Sequence, residues 1–332
     1  MAFSFLKDIT VVECSTFVTG PYAASLLADL GARVIKIDSP PDGDPYRYFA
    51  PDPFFSFNFA HLNRNKESLA LDLKSSKGRE ICLELLKRAD VFVENFRPGA
   101  AERLGLGYDS LRPLNPRLVY CSISAFGQSG PYVNKPGFDT LGQAMSGLLS
   151  LLTDPDEPKV MGMAVSDYVT GLSAGYGILG ALLGRVKSGD GCRVETSLLQ
   201  STLSFIGETA AGYLRTGVVP DRMARVRNAH AFAFVCKDQL PMAMIVGSNA
   251  NGTVKPPVAS TPTASAVSRC SSWVRKYEPP PDFTNLSKAR RYSGDEVYLI
   301  RWASDCGPGV SWWSRMSAIL SALRAWSARP YG

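Results

Sequence analysis

The stretch DITVVECSTFVTGPYAASLLADLGARVIKIDS, residues 8–39, decides how the rest of the chain is read. DITVVECS is rich in β-branched residues, the composition of a strand. GPYAASLLADLGA follows as a helix opened by Pro21 and closed by Gly31, the ends of a helix that proline and glycine respectively favour. RVIKIDS then returns to strand character. The alternation continues through SLALDLKS (strand), KGREICLELLKRA (amphipathic helix), DVFVENF and RLVYCSIS (strands). TLGQAMSGLLSLL reads as one helix and DYVTGLSAGYGILGALLGRVKSG as a long one. Repeated strand–helix units of this kind predict an α/β fold around a mostly parallel sheet.

The composition narrows the function. With 332 residues, 45% hydrophobic and 20% charged, the chain has apolar mass for one large or two medium domains. No window approaches 18 consecutive apolar residues, so no membrane span is expected. MAFSFLKDITVVE lacks the basic, apolar and small-residue regions of a secretory leader. Seven scattered cysteines with no CxxC argue for reduced thiols, and so for a cytoplasmic protein without a zinc site. His61 and His230 are the only histidines; both read as structural, and no metal centre is expected.

A parallel sheet invites a dinucleotide, but the first strand–helix turn, ECSTFVTGPYAA, has one glycine where the fingerprint needs three. Asp38, placed where a ribose-binding acid could sit, is weak support without them. No phosphate-cradling GxxxxGK[ST] and no GxSxG elbow occur, and two histidines leave little for a Ser-His-Asp triad.

What remains is a series of short strings: NRNKESLALDLKS (63–75), VENFRPGAAERLGLGYDSLRPLNPRLVYCSISAFGQSGPY (93–132) and KPGFDTLGQAMSGLL (135–149). GMAVSDYVTG (162–171), SGDGCRVETSLLQS (188–201) and RNAHAFAFVCKD (227–238) complete it. In this order they resemble the class III (family III) CoA-transferases, the group that includes formyl-CoA transferase, carnitine CoA-transferase and the α-methylacyl-CoA racemases. The resemblance covers about residues 5–245.

That resemblance implies an enzyme moving CoA from an acyl-CoA donor to a carboxylic acid acceptor through an aspartyl-CoA thioester. CoA is then a substrate, and no cofactor is permanently bound. The nucleophile of the G-x-x-x-x-D-x-x-x-G context falls on Asp167. Read from the residues, Asp167 begins a long helix, where free N–H groups and the helix dipole favour the ionised carboxylate. An acid at such a place is also commonly only a cap. Asp139 of PGFD matches an acid that orients the acceptor, or caps its own helix. Asn95 and Phe96 match a CoA-binding loop. Arg103 matches a basic position near CoA phosphates, or is a solvated helix charge. Leu71, Asp72 and Lys74 match an LDLK element lining the CoA cleft, or form a strand with polar ends.

Two departures from the family's patterns matter. The racemase branch has a histidine where this chain has Phe138, which cannot transfer a proton, so the alternative of an acyl-CoA racemase or epimerase is disfavoured. The oxalate branch has a glutamine before its Gly-Pro turn, whereas this chain reads Val18-Thr19-Gly20-Pro21. Oxalate specificity therefore does not carry over.

The resemblance further implies a Rossmann-like, mostly parallel large domain, a smaller second domain and an interlocked homodimer. Here the pattern breaks near residue 240. Of the 36 Lys+Arg and 30 Asp+Glu, 12 and 6 fall in residues 237–332, leaving the rest of the chain neutral. All five tryptophans and 14 serines lie in that same segment. Basic residues interleaved with tryptophan, without a binding module, do not make a nucleic-acid partner. The expected layout is a large α/β domain over 1–225, the start of a small domain over 226–245, and an atypical tail over 246–332. Translation in a shifted frame would account for the tail; a lineage-specific segment is the alternative. A missing return segment would leave the dimer incomplete and the chain inactive.

Overall fold

The computed structural model describes residues 4–49, 56–160, 162–220 and 222, together with the backbone of three later strands. The chain divides into two units, Met1–Arg222 and Met223–Gly332.

In the first unit, Thr10–Cys14 (β1), Thr19–Asp29 (α1) and Arg33–Asp38 (β2) make the opening βαβ unit. A 3-10 turn, Pro45–Tyr48, precedes Phe57–Asn63 (α2), Lys66–Ala70 (β3) and Ser76–Leu86 (α3). Next come Val91–Glu94 (β4), Ala100–Arg103 (α4), Tyr108–Leu111 (α5) and Val119–Ser124 (β5). Asp139–Ser146 (α6), Leu148–Leu152 (α7) and Val165–Ser188 (α8) follow. Arg193–Ser197 (β6), Leu198–Phe205 (α9) and Gly207–Thr216 (α10) complete the unit.

The six strands form one parallel sheet in the order β3-β2-β1-β4-β5-β6. The order reverses between β1 and β4, which makes a crevice at their carboxyl ends where doubly wound sheets bind ligands. Strand residues alternate between two apolar layers, as the pleat requires. Val11, Val34, Val93 and Ile123 meet Leu27 of α1 and Ala174 and Ile178 of α8. Val12, Ile37, Phe92 and Tyr120 meet Cys82 and Leu86 of α3. Burial on both faces is why the central strands β1, β4 and β5 read as largely apolar runs, whereas the edge strands β3 and β6 are partly exposed.

Two details depart from the sequence reading. Residues 140–152, expected as one helix, are split because Gly147 takes a left-handed conformation (φ 85°) that ends α6. Helix α8 is long and apolar enough to cross a membrane by length and composition. It instead buries Ala174, Ile178 and Leu182 against the sheet.

In the second unit, Ala231–Val235 (β7), Pro241–Val246 (β8) and Val297–Arg301 (β9) form an antiparallel sheet in the order β7-β8-β9. β9 lies within the segment expected as an atypical tail.

Candidate active site

The crevice is closed below by a loop held from both sides. After β1 the chain must turn into α1, and Gly20 makes the turn possible: a Cβ there would sit 2.4 Å from the Ser15 side chain. Asn95, just past β4, ties the two carboxyl ends together. Its Oδ1 accepts from the Thr16 N–H at 3.0 Å, and its Nδ2 donates to the Thr16 carbonyl (2.8 Å) and Thr19 Oγ1 (3.1 Å). Asn95 is thus the staple of the switch point. Phe17, at the tip, sits at φ 62°, an unusual backbone for a non-glycine residue.

A buried ion network holds that tip in place. Lys36 of β2 donates to the Ser15 carbonyl at 2.6 Å and pairs with Glu13 (3.0 Å), Asp44 (3.1 Å) and Asp38 (3.8 Å). Lys66 of β3 reaches Glu13 at 2.7 Å and Arg47 reaches Asp38 at 2.9 Å. Asp44 Oδ1 accepts from the N–H groups of Phe17 (3.1 Å) and Tyr46 (2.9 Å). Burial opposes the charge of Lys36, but Glu13, Asp44 and Asp38 outweigh it and hold its pKa above the ordinary value. For Lys66 burial wins, and its pKa falls to about 8. Asp38, considered above as a ribose-binding acid, is committed to these pairs.

Above the loop, Phe17 is the centre of an aromatic wall. Its ring lies edge-on to Phe49 and Phe138, each at 5.7 Å, and 6.1 Å from Tyr46. Phe138 leads directly into Asp139, the first residue of α6.

Helices α6 and α8 approach closely because Gly142 has no side chain: a Cβ there would lie 2.2 Å from Ser166 Oγ. Ser166 is fully buried and shares a 2.5 Å hydrogen bond with Thr202 of α9. At this separation Asp139 reaches across to α8, and its Oδ1 accepts from the Asp167 N–H at 3.1 Å. Asp139 Oδ2 accepts from Gln143 Nε2 at 2.5 Å, and that nitrogen also lies 3.3 Å from the Met163 carbonyl. Asp139 is therefore not the cap of its own helix, whose N-cap is Phe138; it caps the neighbouring one.

Asp167 is the third residue of α8, whose N-cap, Ala164, supplies no side-chain bond. Among the described residues its carboxylate takes no hydrogen bond and no ion pair, so it is not a cap either. The expectation that the helix start would favour its ionised form does not hold. Burial, and after it the charge of Asp139, raise the Asp167 carboxyl to about 7. Its own N–H, in the first turn of the helix, is turned to Asp139 instead. Tyr168, the next residue, packs edge-on against Tyr22 of α1 at 4.9 Å, which brings this helix start to the β1–α1 side of the crevice.

The other candidate residues are dispersed. Leu71 is buried in the layer on the α3 side of the sheet, with Phe96 packed against the same cluster. Lys74 and Asp72 are exposed, and Asp72 Oδ1 accepts from the Lys74 N–H at 2.9 Å in a local turn. Arg103 is exposed at the end of α4 with its guanidinium over Gly99, 3.1 Å from where a Cβ would stand. Among the described residues no group of three or more His, Cys, Asp or Glu is arranged to hold a metal ion. His61 ring-packs near Tyr168 (6.5 Å); His230 lies outside the described residues. Sequence reasoning passed over Gln143, Lys36, Asp44 and Phe17. Only Gln143 carried a signal, its i,i+4 spacing from Asp139 on a helix.

Comparison with known proteins bears directly on this arrangement. The family model for CoA-transferase family III matches residues 6–254. An acetyl-CoA:oxalate CoA-transferase from Acetobacter aceti is 40% identical over 68% of this chain and 58% of its own length. A succinate–glutarate CoA-transferase from Agrobacterium fabrum is 39% identical over 68% of this chain and 58% of its own. The chain thus spans under two thirds of these curated relatives. Among solved structures, a CAIB/BAIF family protein from Brucella suis superposes with a TM-score of 0.68 at 34% identity, over 75% of this chain and 67% of that one. This chain belongs to CoA-transferase family III.

Proposed function

We propose that the chain carries the catalytic centre of a CoA-transferase that moves CoA from an acyl-CoA to a carboxylic acid through an aspartyl-CoA thioester on Asp167. The observation that carries this reading is the unequal pair at the crevice: Asp139 has both carboxylate oxygens engaged, whereas among the described residues Asp167 has neither. A carboxylate free of partners and raised to about 7 by burial and Asp139 is a stronger nucleophile than a solvated one.

In the reading, the Asp167 carboxylate oxygen attacks the thioester carbonyl of the donor and the C–S bond breaks. A mixed anhydride forms and CoA leaves as thiolate. The thiolate attacks the aspartyl carbonyl, the anhydride C–O bond breaks, and the donor leaves as a carboxylate. The acceptor carboxylate then attacks the aspartyl-CoA, again expelling thiolate, which takes the acceptor acyl group and restores Asp167. Each addition builds charge on an oxygen, which hydrogen-bond donors aimed at the reacting carbonyl must receive. Asp139 orients, Asn95 and Phe96 shape the loop, and Arg103 and Lys74 supply cations for CoA phosphates.

The relatives' names point to an acceptor of the dicarboxylate class, since oxalate and glutarate both carry two carboxylates. A cytoplasmic location, and a homodimer provided that the C-terminal part folds, complete the reading. For the tail we infer a frameshift near residue 245, supported by the composition break and by the family match ending at residue 254. Reading the coding DNA across codons 236–260 tests it: another open frame continuing the α/β pattern is expected, and its absence refutes the inference.

The activity is tested by incubating the protein with acetyl-CoA or succinyl-CoA and measuring the mass of the peptide that contains Asp167. A CoA adduct on that peptide, absent in Asp167→Asn, is expected. Folded protein with no adduct across the donor panel, both in this chain and in the chain with its reading frame restored where the coding DNA shows the shift, would refute it.

A further inference from the structure

Glu94 is a buried acid that the proposed chemistry does not use. It ends β4, next to Asn95 at the switch point, and is 3% exposed. Among the described residues it forms no ion pair. A buried carboxylate then needs hydrogen-bond donors, and Glu94 draws them from three places. Its Oε2 accepts from the Phe96 N–H at 2.8 Å, and its Oε1 accepts from the Tyr120 hydroxyl at 3.3 Å. The hydroxyl of Ser122, its register partner on β5, also donates to it. Ser122 Oγ in turn accepts from Gln128 Nε2 at 2.8 Å. The series Gln128, Ser122, Glu94, Phe96 thus joins the loop after β5 to the loop after β4. The loop after β5 is itself tightly folded and leads into Phe138 and Asp139. Within it the Gly127 N–H donates to Ser124 Oγ at 2.9 Å, and a Cβ at Gly137 would stand 2.5 Å from the Ala125 side chain.

We infer that Glu94 is a positioning residue: its ionised carboxylate holds the Phe96 N–H and, through Ser122 and Gln128, fixes two loops at the carboxyl end of the sheet in the form that binds CoA. The consequence for CoA rests on the reading of Asn95 and Phe96 as a CoA-binding loop; the tie between the loops does not. A carboxylate accepts from several donors at once, whereas a protonated carboxyl must place its own hydrogen and makes a weaker bond to an N–H. The protonation state of Glu94 is therefore felt at Phe96. Burial, the largest influence, raises its carboxyl to about 7 against the three donors, and the charge of Glu102 on α4 adds to the rise. Tyr120 and Cys121 of β5 are pushed up by burial and then by Glu94 itself. Cys14 of β1, beside Glu94 in the register, is raised by its hydrogen bond to Cys82 and by burial. These three stay protonated through neutral pH. Beyond them, Tyr108 of α5 packs on the Tyr120 ring at 5.8 Å and the charge of Arg193 on β6 reaches Tyr120.

The test uses the full chain, Glu94→Gln and Ser122→Ala, with two readouts from pH 5.5 to 8. One is hydrogen–deuterium exchange of the peptide that carries the Phe96 amide; the other is the Kd of free CoA by calorimetry. Comparing variant with parent at the same pH cancels the intrinsic exchange rate and the titration of CoA itself. Glutamine keeps the size of Glu94 but fixes a neutral side chain, so it should match the parent at pH 5.5 and part from it as pH rises. At pH 8 its Phe96 peptide is expected to exchange about fivefold faster, and CoA to bind about fivefold more weakly, as when a charge-assisted bond becomes a neutral one. Ser122→Ala removes a donor to the charged form and should move the midpoint of the pH dependence up by about one unit; a folding failure in one variant leaves the other. A glutamate with only a structural role would give ratios independent of pH. Such a flat ratio in Glu94→Gln, or an unmoved midpoint in Ser122→Ala, would overturn the inference. Protection of Phe96 that follows Glu94, while CoA binds equally or not at all in every state, would refute the CoA-binding loop and leave the tie standing.

Discussion

Replacing Asp167 by asparagine should stabilise the protein, and by an amount that depends on pH in a calculable way. Burial, then Asp139, raise the Asp167 carboxyl from 3.8 to about 7. Tenfold in a proton equilibrium is worth about 1.4 kcal/mol, so a rise of this size opposes the folded, ionised state by about 4 kcal/mol. Partial solvent access at the helix start reduces this to about 2–4 kcal/mol. The direction follows from proton counts. Between pH 4 and 7 the folded chain holds a proton that the unfolded chain has released, so stability falls as pH rises across that window. Below pH 4 both states are protonated and Asp167→Asn should match the parent. The gap then widens to pH 7 and stays constant above it. Urea unfolding of both proteins at integer steps from pH 4 to 8, compared by midpoint at constant slope, reads the difference directly. A gap that is flat across that range, or one that narrows with pH, would refute the account of Asp167 as a buried carboxylate beside a charged one. The outcome also bears on function, since a group kept at a cost to stability is what a reactive site requires.

Other consequences can be checked alongside. Lys36→Met removes the cation shared by Glu13, Asp44 and Asp38, leaving their buried charges poorly paired; a loss of about 3–5 kcal/mol in urea unfolding is expected, and a loss under about 1 kcal/mol would show that the network does not hold the Phe17 loop. Arg103→Ala, at an exposed site, should leave stability within about 0.5 kcal/mol. It should raise KM for the acyl-CoA about tenfold with kcat unchanged, as loss of one charge-assisted bond to phosphate would; an unchanged KM removes Arg103 from the CoA site. Asn95→Leu breaks the staple between β1 and β4, at a cost of about 2–3 kcal/mol for the groups it strands; stability equal to the parent would mean that the two loops are held by other contacts.

Local chemistry wrote most of the fold plainly. A strand buried on both faces needs an unbroken apolar run, and a helix needs its proline, glycine and cap residues near the ends. Thus residues 8–39 disclosed the βαβ unit without reference to anything distant. The serine that caps α3, Ser75, accepts from the Gly78 N–H at 3.0 Å, a bond spanning three residues. The break at Gly147 was less legible, because apolar residues continue on both sides and only the left-handed backbone of the glycine ends the helix.

The site divided differently. Asp167 stood out in the sequence because it interrupts an apolar, glycine-punctuated run and keeps the company of the other family strings. Its chemical state did not, since that depends on burial in the folded chain and, after it, on a carboxylate 28 positions earlier, brought near because Gly142 lets two helices touch. The buried ions were hidden for a similar reason. Glu13, Lys36 and Lys66 each look like a polar residue in a strand, and only the pairing of β1, β2 and β3 stacks them into one network.

The order of amino acids was enough to reveal β1 to β5, the helices α1, α3 and α8 and the α/β class, and to single out Asp167, because strands, helices and caps answer to neighbours a few positions away. Strand order, the crevice between β1 and β4, and the unequal engagement of Asp139 and Asp167 emerge only when the chain is folded. Those features rest on contacts between residues distant in the chain, and on which charges the packing deprives of water.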